Sequence, residues 1–255
     1  MRHFAAPDAA NREIGMPSEF SNVYDDAKRA DAYAKLEFPG TYYLAFRELP
    51  AILREHVRGR NALDFGCGAG RSTRFLRGLG FEATGVDIAE HMLARARGLD
   101  PAGDYRLSPE GRFDGLAPGS YALVLSAFTF ANVPTMERKV ALFLGLKTLL
   151  KRGGRIVSVV SSPEIYVHEW ASFSTRDYPE NRDVKSGGTV RIVMLDVDDR
   201  RPVEDIVWSD EDYDEVYRRA GLRTLAKHRP LGLASEPCAW VSETTIAPWV
   251  VYVLG

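Results

Sequence analysis

Leu63-Asp64-Phe65-Gly66-Cys67-Gly68-Ala69-Gly70-Arg71-Ser72 is a short apolar strand carrying one acid, then a loop with glycine at every second position, then a helix start. Downstream, Ala83-Thr84-Gly85-Val86 reads as a second apolar strand, and it ends in Asp87. Glycines in such a turn let the backbone approach a ligand closely. An acid at the tip of the next strand accepts both hydroxyls of a ribose. Strand, glycine turn, helix, strand and acid in that order describe a nucleoside cradle rather than a plain tight turn. A dinucleotide fingerprint wants Gly-x-Gly-x-x-Gly, with the helix N-terminus against a pyrophosphate. Here position 71 is Arg and the third glycine is Gly70, so the spacing is Gly-x-Gly-x-Gly.

The chain around this stretch alternates. Hydrophobic periodicity predicts strand 61–66, helix 71–79, strand 82–87, helix 89–97, strands 104–107 and 120–127, helix 135–151 and strand 154–160. That rhythm argues for an α/β protein, a parallel sheet with helices on both faces. Upstream, residues 21–57 read as two helices split near Phe38-Pro39-Gly40, the second kinked or broken at Pro50. Residues 162–208 break the rhythm, with a hairpin of 189–194 and 202–208 turning at Asp198-Asp199-Arg200-Arg201. Ser209 caps a helix that carries Asp210, Glu211 and Asp212 in its first turn and stops at Gly221. Segments 222–228 and 247–254 complete the sheet.

Asp64-Phe65-Gly66-Cys67-Gly68-Ala69-Gly70 resembles the first motif of class I S-adenosylmethionine-dependent methyltransferases, acid-x-Gly-x-Gly-x-Gly. Val86-Asp87-Ile88-Ala89-Glu90-His91-Met92-Leu93 is similar to the family's second strand end and following helix. Tyr121-Ala122-Leu123-Val124-Leu125-Ser126 is similar to its fourth strand. Leu149-Leu150-Lys151-Arg152-Gly153-Gly154-Arg155-Ile156 is similar to its turn into strand five, with Arg152 in place of the usual proline. The resemblance implies a Rossmann-like fold with a seven-stranded, mostly parallel sheet in the order 3-2-1-4-5-7-6, the last strand antiparallel. It implies S-adenosyl-L-methionine as cofactor.

The same resemblance assigns roles. Asp64 orders the loop or takes the cofactor's ammonium through water. The backbone of Gly66, Cys67 and Gly68 passes under the amino-acid end. Asp87 accepts the ribose hydroxyls, and Ile88 and Met92 flank the adenine. Ser126, Ala127 and Phe128 lie where the fourth strand meets the ligand. Glu110 stands where the family often places an adenine-binding acid, although Ser108-Pro109-Glu110-Gly111 departs from the usual pattern. Arg71 either pairs with the cofactor carboxylate or is a solvated surface residue. Tyr24 and Tyr33, with Tyr42 and Tyr43, form a lid over the methionyl end. Residues 1–57 are then a helical lid and 58–255 the methyltransferase core, with insertion 162–208 forming part of the substrate pocket.

The expected reaction is methyl transfer to an O or N atom of a small molecule, in secondary metabolism. Its rate comes mostly from alignment and exclusion of water. A nucleophile protonated at neutral pH also needs a base. His168 is the first candidate, with Glu164 and Tyr178 beside it in sequence, and Trp170, Phe173, Trp208 and Trp240 supply apolar pocket walls. Cys67 has no histidine close in sequence and reads as a small loop residue rather than a nucleophile. Phe130-Ala131-Asn132-Val133-Pro134 lacks the Asn/Asp-Pro-Pro-aromatic run of enzymes that methylate base amines.

Net charge is −2 and the pI about 6.2, so no basic field draws in nucleic acid. Cys67 and Cys238 make neither a metal-ligand pair nor a disulfide framework, which points to a reducing cytoplasm and no metal. Residues 1–18 lack the apolar segment of a signal peptide, and 246–254 is too short for a membrane span. A small-molecule substrate and a monomer or homodimer are expected, with no nucleic-acid or membrane partner. Two other readings share the fold: a nicotinamide-dependent oxidoreductase, against which the glycine spacing counts, and a non-catalytic cofactor-binding protein.

Overall fold

The computed structural model describes residues 37–109 and 112–255. Five strands, β1 (Asn61–Phe65), β2 (Glu82–Asp87), β3 (Asp104–Leu107), β4 (Tyr121–Ala127) and β5 (Leu150–Ser161), run parallel. With β9 (Thr224–His228) and β10 (Trp249–Leu254) they form one sheet ordered β3-β2-β1-β4-β5-β10-β9. Only β10 runs against its neighbours. This is the order the resemblance implied. Strand order reverses between β1 and β4, and such a reversal opens a crevice at the carboxyl ends of the strands.

The central strands are apolar on both faces, so each face needs a covering layer. Leu123, Leu125, Val157 and Val159 pack on one side, with α1 (Gly40–Arg47), α2 (Leu49–His56) and Leu76 of α3 (Arg71–Gly78). Val124, Ile156 and Val160 pack on the other, against α5 (Met136–Leu149) and α6 (Asp210–Arg219). Between α3 and α5, α4 (Glu90–Leu99) covers the β2–β3 edge, placing Leu93 and Ala96 against Tyr105 and Cys67. Ser209 caps α6 as read from sequence, its hydroxyl accepting from Asp212 N at 3.1 Å.

Two expectations change. Segment 41–56 breaks into two helices at Glu48, two residues before the Pro50 at which a kink or break is expected. Pro50 sits at the start of α2, where its missing N–H has no intrahelical partner to lose. The strand expected at 154–160 begins at Leu150, so the Lys151-Arg152-Gly153-Gly154 turn is part of β5.

Residues 162–208 fold as a second, three-stranded antiparallel sheet of β6 (Phe173–Ser174), β7 (Thr189–Met194) and β8 (Val203–Ile206), in that order. Val190, Ile192, Met194 and Val203 join the same apolar cluster as α1 and the main sheet. A buried polar network ties this layer down. Thr41 Oγ1 and Ala171 N donate to Glu243 Oε1 at 2.6 and 2.7 Å, and Val241 N to Oε2 at 2.8 Å. Ser172 N donates to Thr41 Oγ1, Thr41 N to Ser172 Oγ, and Trp249 Nε1 to Thr41 O. Thr41, Ser172 and Glu243 are fully buried, and all these groups are matched, as burial requires.

Candidate functional site: a glycine loop and an apolar recess

The loop after β1 is held from three directions. Gly66 N and Cys67 N both donate to Val86 O. Gly68 N donates to Asp87 Oδ2 at 2.8 Å, while Asp87 Oδ1 accepts from Ala89 N at 2.9 Å as α4 begins. Asp87 therefore fixes the loop, and with Ile88 as a further backbone donor its two oxygens still have room for another. Burial raises its pKa, opposed by these backbone donors.

The three glycines do different work. All have positive φ, where side chains with a Cβ are strained. At Gly66 a Cβ would overlap the Thr129 side chain, and at Gly70 it would lie 2.6 Å from the Tyr105 hydroxyl. At Gly68 it would meet only Met92 Cε, at 3.3 Å. Gly66 and Gly70 are required by the protein's own packing, whereas Gly68 keeps its open side for something else.

Asp64 is fully buried beneath the loop. Ser72 Oγ and Thr73 Oγ1 donate to Oδ2 at 2.7 and 2.6 Å, and Oδ1 has no partner among the described residues. Burial pushes its pKa up to about 6. A buried, half-satisfied carboxylate beside an open glycine cradle fits a ligand carrying an ammonium and a ribose. Met92 packs with Ala69 and Ala89 under the loop, and Ile88 is exposed beside it. The Cys67 side chain turns into the α4 core, and burial raises its thiol well above the usual range, so only its backbone borders the loop.

At the tip of β4, Ser126 is buried and Ala127 half-buried, and Phe128 adopts φ 65°. That left-handed conformation costs a non-glycine residue on the order of 1–3 kcal/mol. It aims the ring at Trp249, Tyr42 and Phe46, with centroids 4.7, 5.7 and 6.1 Å away. Arg71 is not a solvated surface residue. Its guanidinium lies 5.1–5.7 Å from the ring centres of Tyr42, Phe46, Phe38 and Phe128, and Nη1 donates to Glu37 O at 2.7 Å. Such stacking stabilises by about 0.5–2 kcal/mol per favourable ring and locks the first turn of α3 to α1.

Beyond Phe128 lies a recess of about 50 Å³, bordered by Tyr42, Asn132, Ile165, Phe173 and Trp249, with Asp205 and Tyr166 among its walls. Tyr166 Oη donates to Asp205 Oδ2 at 3.1 Å. Burial raises Asp205 to about 6, opposed by the tyrosine and by Lys139. Lys139, on α5, is fully buried: its ammonium donates to Phe130 O and Val133 O and faces the Trp208 ring at 4.5 Å. Burial lowers its pKa to about 7.

The residues expected to act as base lie elsewhere. His168 and Tyr178 border a separate surface groove with Glu169, Arg176 and Arg182, and His168 Nε2 meets Glu164 Oε2 at 3.0 Å. Tyr166 stands between groove and recess, bordering both. Of the four expected aromatic walls, Phe173 lines the recess. Trp170 is core, Trp208 packs on the opposite sheet face, and Trp240 donates to Leu233 O. Tyr24, Tyr33 and Glu110 fall outside the described residues; Tyr42 is buried in the aromatic cluster and Tyr43 is exposed. Sequence reading missed Asp205, Tyr166, Lys139 and Trp249. The alternation in β8 held a usable signal, since Asp205 shares a face with the inward Val203.

Comparison with known proteins agrees with this geometry. Residues 63–158 match the family model described as a methyltransferase domain. The chain is similar to a ubiquinone biosynthesis O-methyltransferase of Burkholderia cenocepacia, 30% identical over 51% of this chain and 49% of that protein. A protein of the same description from Bordetella pertussis is 35% identical over 31% of this chain and 34% of its own. The chain thus spans about half the length or less of these curated relatives. The structure superposes on the CcbJ methyltransferase from Streptomyces caelestis with TM-score 0.60 at 19% identity, covering 86% of this chain and 99% of the other. An S-adenosylmethionine dependent methyltransferase from Mesorhizobium loti gives 0.57 at 22% identity, covering 81% and 96%. Over residues 63–158 the chain matches a methyltransferase domain, and its fold is that of the solved S-adenosylmethionine-dependent methyltransferases it superposes on.

Proposed function

We propose that the protein transfers a methyl group from S-adenosyl-L-methionine to an O or N atom of a small, largely apolar molecule. The observation that carries this reading is the loop: an open Gly68 flanked by two carboxylates, Asp87 with room for a further donor and Asp64 with a buried oxygen unmatched. The name of the Burkholderia cenocepacia relative favours oxygen as the acceptor atom. When bound, the cofactor supplies an electrophilic methyl on a sulfonium.

The chain's own residues would do the rest. Asp87 would hold the ribose and Asp64 the ammonium, with the backbone at 66–68 beneath the amino-acid end. Ile88 and Met92 would flank the adenine. Phe128 would separate this pocket from the recess, while α1, the small sheet and the aromatic cluster exclude water from the reacting end. The division into an N-terminal lid and an acceptor wall at 162–208 belongs to the same proposal. Placement in the recess supports Asp205 over His168, the first candidate base, as the proton acceptor beside the substrate.

Calorimetric titration with S-adenosylhomocysteine tests the reading. The wild type should bind it, and Asp87→Ala should weaken binding by about 1–3 kcal/mol by leaving ribose hydroxyls without an acceptor. Binding of a nicotinamide dinucleotide instead would overturn it.

A further inference from the structure

We propose that Asp205 anchors the acceptor: the recess beyond Phe128 receives the hydrogen-donating head of an otherwise apolar substrate, a hydroxyl or a protonated amine. This rests on the methyltransferase reading for what happens next, but the anchor itself is argued from the recess alone. β8 pairs Ile192 with Val203 and Val190 with Asp205, which sets the carboxylate two residues along from an inward-facing valine. Tyr166 Oη takes one oxygen. Among the described residues the other accepts no hydrogen bond, and it stays accessible where Asp205 borders the recess.

Among the described residues Asp205 makes no ion pair, because the nearby ammonium of Lys139 is engaged by the carbonyls of Phe130 and Val133. A carboxylate left half-matched among Ile165, Ile192, Met194 and Trp249 is unfavourable unless a donor arrives to complete it. A few convergent polar groups in an apolar pocket fix a ligand's orientation.

Size narrows the head group. A water needs roughly 10–15 Å³ of such space and a benzene ring roughly 150 Å³. The recess, at about 50 Å³, therefore holds a hydroxymethyl- or aminomethyl-sized head and not a ring. The apolar body would lie outside it, against Phe128 and Tyr42. A site built around a buried acceptor discriminates strongly against analogues that lack the donor.

Benzylamine, benzyl alcohol and toluene share one body and differ in the head. Their binding to the full chain, with S-adenosylhomocysteine present, is measured by ligand-observed NMR. The wild type should prefer both donor heads over toluene by about tenfold, the worth of one hydrogen bond to a charged group. Asp205→Asn should erase the benzylamine preference while toluene affinity changes less than twofold, and Tyr166→Phe should give an intermediate loss.

The benzylamine preference should also grow between pH 5 and 7 in the wild type and grow much less in Asp205→Asn, where only Lys139 still titrates. The titratable groups facing the carboxylate are Tyr166, Tyr213 of α6 and Lys139 of α5. Only Lys139 changes charge near that range, and its loss of charge as pH rises acts in the same direction. Equal binding of all three probes, no binding by any, or a preference that survives Asp205→Asn overturns the anchor. Calorimetry with S-adenosylhomocysteine reports separately on the methyltransferase reading. If the probes discriminate and the nucleoside does not bind the wild type, the anchor stands and that reading falls.

Discussion

The molecule has two halves that solve different problems. The cofactor half, β1 through β5 with its glycine loop, is built from contacts close in sequence: Gly68 bonds to Asp87, and Asp64 to Ser72 and Thr73. The acceptor half joins distant segments, as when Thr41 bonds Ser172 and Glu243. On the proposed reading the first half holds the cofactor and the second walls the recess that takes the acceptor.

The sharpest test of the contrast lies within the loop. Gly66→Ala should destabilise the fold by about 3 kcal/mol, since strain at positive φ adds to overlap with Thr129. Gly68→Ala should cost only about 1 kcal/mol, because its Cβ meets little, yet should abolish measurable S-adenosylhomocysteine binding. Denaturant melts and calorimetry on both variants separate the effects; equal destabilisation would mean the two glycines do not differ as described.

Glu243→Ala should cost about 2–3 kcal/mol by stranding three donors. If the halves are separable, amide hydrogen exchange should speed up at 162–208 and 229–246 and stay unchanged at 66–70. Uniform loss of protection would show one cooperative unit instead.

A smaller effect concerns pH. The folded pKa of Asp64 is about 6, above the ordinary aspartate value of about 3.9, so between these the folded state holds more protons than the unfolded one. Stability of the ligand-free protein should then fall as pH rises through that window, by on the order of 1–3 kcal/mol, with the penalty absent below it and complete above. In Asp64→Asn the Asp64 share of that slope should vanish, as read from urea melts at pH 4.5 and 7. An unaltered slope would mean Asp64 ionises freely when folded.

Much of the cofactor half was legible from sequence because its determinants are local. A glycine at positive φ, an acid at a strand tip and apolar runs between them are set by backbone sterics over a few residues. The Gly66–Gly70 loop, Asp64 and Asp87 followed from those signals, while the sheet order came from the family resemblance that the loop carries. The base candidates were chosen by proximity in sequence to the fifth strand, and proximity in sequence does not say which side of Tyr166 a residue occupies. His168 and Tyr178 border the outer groove. Alternation in β8 puts Asp205 on the face of Val203, but only the pairing of β8 with β7 brings that face to the recess.

The sequence by itself determined the sheet and the nucleoside cradle, because hydrophobic period and glycine conformation act on the chain locally. Tertiary structure alone decided which acid faces the recess, that Lys139 is buried under the turn after β4, and that Glu243 ties three separate segments together. Those outcomes depend on desolvation and on hydrogen bonds between residues far apart in the chain, and neither exists until the layers have packed.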